Sequence, residues 1–240
     1  MIKATCKGPV AGSILFGSLK WTGDSLATVR DKRVSIFVHG FKNTDAQAAE
    51  AYREFSVRAG GIYGQTVGFF WPSGATPAAW PLVSVGHTHL AARYLLQVIE
   101  AVRKNGATHI TVNAHSIGAQ VALGAIWDTP YHRLPDVDHL VLLAPGCDRD
   151  LSKYRNIALR DGIDVFYSKK DPVLSLRTIW PRLDWPPFEP ALGQWGEKSK
   201  GGNIARNHDM TNEVGASHNG YRHVSALYQT LTNVYHGVPA

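Results

Sequence analysis

Short, dense apolar runs alternate along the chain with longer stretches in which apolar residues recur every three or four positions. Val34-Ser35-Ile36-Phe37-Val38, Thr66–Trp71, His109–Asn113, His139–Leu143 and Ile163–Tyr167 are of the first kind. They are rich in β-branched and aromatic residues and predict buried strands. Between them, Ala46, Ala49, Tyr52, Phe55 and Val57 fall roughly on one helical face, with Thr44 or Asp45 as the cap and Gly60-Gly61 as the stop. Leu90, Tyr94, Leu95, Val98, Ile99 and Val102 predict a long helix from about Val83 to Lys104, ended by Asn105-Gly106. Ile117–Trp127 reads as a helix of small residues, and Tyr221–Val234 as the last helix. Residues 1–32 are harder to assign; Ser13–Leu19 predicts one short strand.

The predicted strands are continuously apolar rather than alternating, which is the mark of a mostly parallel sheet covered on both faces. The expected class is therefore α/β, one domain over residues 1–240. In such sheets ligands sit beyond the carboxyl ends of the strands. Here those ends lie near His39, Trp71, Ala114, Ala144 and Ser168. Between Ser175 and Ser217 the periodicity lapses into a stretch holding Trp180, Trp185, Phe188 and Trp195. We expect it to be a loop excursion over those strand ends.

Composition narrows the function classes. With 44% hydrophobic and 18% charged residues, a sizeable core is available and extended disorder is excluded. The net charge is +6, yet the basic residues are scattered rather than blocked, so nucleic-acid binding is not expected. The two cysteines, Cys6 and Cys147, are too few and too far apart for a disulfide framework. No charged segment followed by an apolar run opens the chain, and no apolar run reaches transmembrane length. A cytoplasmic protein without stable membrane insertion is expected; the oligomeric state is not legible. His87 and His89 are two apart and share no helical face, and we expect neither metal nor cofactor.

The sharpest chemical signal is Ala114-His115-Ser116-Ile117-Gly118, set between a predicted strand and a predicted helix. A serine on that turn projects its hydroxyl, and the residues two positions away must be small. Gly118 meets this rule, and Ala114 replaces glycine conservatively. Upstream, His39-Gly40-Phe41 ends another strand. The backbone amides of Phe41 and Ile117 are the expected oxyanion hole. The acid and the histidine should follow the serine in chain order. Asp171, on the turn after Ile163–Tyr167, is the first candidate for the acid, and Asp148 is the reserve. Asp164 reads as a surface turn residue. Among His208, His218, His223 and His236, His218 is favoured as the base because it lies in a loop before the last helix, with His223 and then His208 behind it. His39 and His115 flank this site. They are read as local hydrogen-bonding supports, and with Trp71 and Trp185 are expected to line the substrate pocket.

These motifs resemble the alpha/beta-hydrolase superfamily of esterases and lipases. They are most similar to a little-characterised bacterial branch carrying Phe-Val-His-Gly-Phe (37–41), Phe-Trp-Pro-Ser (70–73), Ala-His-Ser-Ile-Gly (114–118) and Tyr-Ser-Lys-Lys-Asp (167–171). The likeness runs from about residue 33 to 232. Ile117 departs from the Met or Leu common in the family. The short N-terminal part implies a minimal sheet, lacking the first antiparallel strands, and no large cap domain is evident. The resemblance implies a Ser116–His218–Asp171 hydrolase of small-molecule acyl esters. A thioesterase, amidase or peptidase, or a non-catalytic binding protein, is the alternative on the same fold.

Overall fold

The computed structural model describes residues 1–8, 16–41, 44–73, 80–127, 136–175, 190–199 and 201–235, and in the helix starting at Trp80 the side chains from His87 onward. Its strands are β1 (Ile2–Lys7), β2 (Phe16–Gly23), β3 (Arg33–Val38), β4 (Gln65–Phe70), β5 (His109–His115), β6 (His139–Leu143), β7 (Gly162–Tyr167) and β8 (Ala205–Asp209). The helices are α1 (Asp45–Tyr63), α2 (Trp80–Lys104), α3 (Gly118–Trp127), α4 (Pro172–Ser175), α5 (Leu192–Trp195), α6 (Thr211–Val214) and α7 (Ser225–Tyr235).

Every residue from Val34 to Val38 is buried, although successive side chains point to opposite faces. Both faces of β3 are therefore covered, as the apolar run demanded. α1 packs with α7, and α2 with α3. The eight strands form one sheet in the order β2-β1-β4-β3-β5-β6-β7-β8. Only the β1–β2 pair is antiparallel; the register elsewhere is parallel, with Val38 opposite Ala114 and Ala114 opposite Leu142. The carboxyl ends of β3, β5 and β7 thus reach the same edge.

Three expectations need correction. The sheet is not minimal at its N-terminus, since β1 and β2 pair antiparallel and β1 continues into the parallel sheet beside β4. β1 escapes notice because its only buried residues are Ile2, Ala4 and Cys6, of which two are small and one, Ala4, is a weak strand former. Residues 175–217 are not loop throughout: Ala205–Asp209 is the edge strand β8, paired with β7. Its sequence, Ala-Arg-Asn-His-Asp, is polar because its side chains bond to neighbouring groups; Asn207 Oδ1, for instance, accepts from the amide of Glu197 at 2.7 Å. Finally, α1 does not stop at Gly60-Gly61. It runs on until Tyr63 is buried, and ends where Gly64 adopts a left-handed φ of 63°. At its other end Thr44 and Gln47 form a reciprocal capping box.

Residues 144–161 connect β6 to β7 with one 3₁₀ turn at Ser152–Tyr154, so no large insertion stands there. A second 3₁₀ turn, Gly220–His223, precedes α7. Among the described residues no helix is long and apolar enough to cross a membrane.

Candidate active site

Ser116 follows the end of β5 with φ at 55°, a left-handed value that costs a non-glycine residue about 1 kcal/mol or more. Backbone bonds hold it there. Its N–H donates to the Leu143 carbonyl (2.9 Å), and its own carbonyl accepts from Gly146 N–H (3.0 Å) and Ala119 N–H (3.0 Å). Gly118 sits so close to β3 that a Cβ would lie 2.6 Å from the His39 carbonyl oxygen and 2.8 Å from that of Val38. No side chain fits, which is the physical content of the small-residue rule at this turn. A Cβ on Gly40 would stand 3.0 Å from Ser116 Cβ, so the end of β3 runs directly against the serine.

The structure brings Ser116, His218 and Asp171 together. His218 Nε2 is 2.9 Å from Ser116 Oγ, and His218 Nδ1 is 2.6 Å from Asp171 Oδ2. Asp171 is fully buried, and its other oxygen accepts from the amides of Val173 (3.0 Å) and Leu174 (3.3 Å) at the start of α4. Asp171 accepts a hydrogen bond from Nδ1–H, so Nε2 presents its lone pair to the serine hydroxyl.

His115 fixes the other side of His218. Its Nε2–H donates to the His218 backbone carbonyl at 2.9 Å, and the two rings lie 5.0 Å apart. Desolvation, and then the neighbouring His218, push the His115 pKa down to about 3, so the ring is neutral. His39 is buried. Its Nε2 accepts from Trp71 N–H (3.2 Å), and its Nδ1–H donates to the Gly40 carbonyl (2.8 Å). Burial, with a smaller effect of Lys7, lowers its pKa to about 3.

Other nominated residues fall elsewhere. Trp71 is buried, stacked on His39 with ring centres 5.7 Å apart, and donates its indole N–H to the His39 carbonyl (2.9 Å). His39 and Trp71 are thus mutual supports, and the expectation that Trp71 faces a substrate is corrected by its burial. Trp180, Trp185, Phe188 and His236 lie outside the described residues, as does the Trp80 side chain. Phe41 is half-buried at the end of β3, and Ile117 is buried just before α3. Asp148 is bound locally, accepting from Asp150 N–H at 2.9 Å. His223 is half-exposed, 3.6 Å from Glu54.

His208 belongs to a different cluster. Its Nε2 lies 2.6 Å from Asp164 Oδ1, while His139 Nε2 lies 2.5 Å from Asp164 Oδ2 and Arg206 bonds both oxygens (2.8 and 2.6 Å). Asp164 is fully buried, which corrects its reading as a surface turn residue. Burial alone raises its pKa, but the bonds from His139, His208 and Arg206 prevail and hold it well below the ordinary carboxyl range. Among the described residues no group of three His, Cys, Asp or Glu is arranged to hold a metal ion.

Sequence reasoning missed the strap Ala144–Cys147. Gly146 holds the Ser116 carbonyl, while Gly193 N–H donates to the Pro145 carbonyl (2.8 Å) and Leu192 N–H to that of Cys147 (2.9 Å). Pro145-Gly146, directly after a strand, was the available signal.

No curated protein matches the chain. Among solved structures it is similar to lipase B of Aspergillus fumigatus, with 14% identity, a TM-score of 0.53, and coverage of 84% of this chain and 52% of that one. It spans about half the length of that lipase. An esterase of the archaeon Pyrobaculum calidifontis aligns with 15% identity, a TM-score of 0.44, and coverage of 87% and 77%. The likeness to the lipase concerns the fold alone. Residues 17–182 match the profile of the family described as "Alpha/beta hydrolase of unknown function (DUF900)". The chain, with its mostly parallel eight-stranded sheet, belongs to that alpha/beta-hydrolase family.

Proposed function

We propose that this hydrolase-family protein is a serine esterase, cleaving small-molecule acyl esters through Ser116, His218 and Asp171. One observation carries the reading: the continuous hydrogen-bonded chain from Ser116 Oγ through the His218 ring to buried Asp171, at 2.9 and 2.6 Å. In this account His218 takes the Ser116 proton as Oγ attacks the ester carbonyl. The carbonyl oxygen becomes an oxyanion and accepts from the amides of Phe41 and Ile117. His218, now an imidazolium stabilised by Asp171, returns the proton to the leaving alkoxide. Water, activated by His218, attacks the acyl-enzyme; the acid leaves and Ser116 is reprotonated. His39, Trp71 and His115 act as supports rather than as proton carriers. No cofactor is needed for these steps, and the scattered surface charge favours no nucleic-acid partner.

Hydrolysis of nitrophenyl acetate by the wild type and by Ser116→Ala tests this. The expected result is turnover that falls by about three orders of magnitude or more in the variant. Equal turnover by both proteins removes Ser116 from the chemistry, and no turnover of any acyl ester, thioester or amide removes the enzyme reading.

A further inference from the structure

A cavity of about 380 Å³ lies between the first turns of α1 and the 3₁₀ turn that follows His218; Gly40, His115 and Asn219, the immediate neighbours of Ser116 and His218, line it, while Ser116 and His218 themselves do not. Gly40 and His115 both abut Ser116. Asn219, the next residue after His218, and Arg222 also line it. Its volume lies within the range of small-ligand sites.

Position assigns the cavity to one half of an ester. Resting on the serine-esterase reading, His218 must hand its proton to the departing alkoxide, so the alcohol portion leaves on the side of His218. Asn219 and Arg222, which follow His218 in the chain, line the cavity. The acyl portion stays on Ser116 and has no need of this lining.

The lining then describes the alcohol. Phe37 and Ala51 give the cavity an apolar floor, whereas Gln47, Glu50, Asn219 and Arg222 make its rim polar. Charges at the rim are already matched within the chain: Glu50 accepts from Arg53 (2.9 Å), and Arg222 donates to Glu54. A charged ligand would meet no uncompensated opposite charge there. An uncharged ligand with several hydroxyl groups fits, because a hydroxyl both donates to carboxylate or amide oxygens and accepts from guanidinium or amide N–H groups. His115 adds an acceptor. Its Nε2–H is used on the His218 carbonyl, so Nδ1 carries a lone pair, and this nitrogen lies beside Gly40, which also lines the cavity.

We propose that this cavity is the leaving-group subsite, and that it selects esters of polyhydroxylated alcohols over esters of simple alkyl alcohols.

The test compares two acetates of similar size, glyceryl monoacetate and propyl acetate, by proton release at constant pH. The acyl group is the same, so any difference in kcat/KM reports the alcohol. The expected result is a preference for glyceryl monoacetate of about tenfold, the worth of one or two net hydrogen bonds. Glu50→Leu, at an exposed position of α1, should bring that ratio down toward one. Ala46→Phe, which crowds the rim without touching the capping box, should lower it as well and serves if Glu50→Leu fails to fold. Fluorophosphonate labelling of Ser116 is measured on every protein. Equal or better use of propyl acetate by a protein that labels at Ser116 overturns the polyol assignment alone. No turnover of either ester also overturns it, and if no adduct forms at Ser116 the esterase reading falls with it. A ratio unchanged in both variants moves the hydroxyl recognition away from this cavity.

Discussion

The imidazole of His115 donates to the backbone carbonyl of His218 at 2.9 Å, so the residue before the serine holds the loop that carries the histidine. Strand β5 thereby sets both Ser116 and the height of the His218 ring above it. His115→Leu removes that bond while keeping an apolar body of comparable size. We predict a loss of about ten- to a hundredfold in kcat, the scale on which a displacement near one ångström acts. The Ser116 labelling rate should fall in parallel while the thermal midpoint moves little. Steady-state kinetics with nitrophenyl acetate measures the loss, and an unchanged kcat would detach His115 from positioning.

Gly193 joins the segments that carry the three side chains. Its N–H donates to Pro145 in the strap behind Ser116, and its carbonyl accepts from Ser168 N–H at 3.0 Å. Ser168 in turn accepts from Asp171 N–H and donates its hydroxyl to the Gly215 carbonyl in the His218 loop (2.6 Å). A Cβ at position 193 would stand 2.3 Å from the Ala144 carbonyl carbon and 2.5 Å from Pro145 N. Gly193→Ala must push α5 off the strap, at a cost of about 1–3 kcal/mol for overpacking. Urea denaturation should show that loss, and a wild-type midpoint would contradict the contact.

Two neutral histidines, buried His39 and half-buried His115, make stability pH-dependent in a definite direction. The pKa values of His39 and His115 are lowered from 6.5 to about 3, so below pH 6.5 the unfolded chain binds protons that the folded chain refuses. Stability therefore rises with pH between about 3 and 6.5, by at most about 1.4 kcal/mol per pH unit for each ring. Urea midpoints recorded from pH 7 to pH 5 should fall, and His39→Asn should flatten the slope. A wild-type midpoint constant over that range would contradict the assignment.

Asp164 acts lower on the pH scale. Its folded pKa is depressed, so its contribution is complete above the ordinary carboxyl value and is lost as pH falls below about 4. Removing the charge at neutral pH leaves His139, His208 and Arg206 facing an uncharged amide. We predict that Asp164→Asn destabilises the fold by about 3–5 kcal/mol, as for a broken buried ion pair. Equilibrium unfolding checks this, and because the cluster touches neither Ser116 nor His218, kcat of the folded fraction should stay at the wild-type value.

These cases mark what local sequence could reveal. β3 to β7 were legible because each is an apolar run whose neighbours punctuate it. The meeting of Ser116, His218 and Asp171 was legible because a serine on a strand-to-helix turn constrains where its partners fall in the chain. β1 and β8 were not. β1 hides its period-two pattern in Ala and Cys, and β8 is polar because Arg206 and His208 bond Asp164, 42 and 44 residues away. Asp164 itself was misread, since nothing adjacent to it announces a partner on another strand. Trp71 was taken for a pocket residue because a tryptophan at a strand end looks the same whether it lines a mouth or, as here, stacks on a buried histidine.

The most direct measurement is mass spectrometry of the protein after reaction with a fluorophosphonate. The account predicts a single adduct on the peptide containing Ser116, with formation slowed by about a hundredfold or more in His218→Ala, which removes the base. An adduct on another serine, or labelling at Ser116 that does not depend on His218, would contradict it.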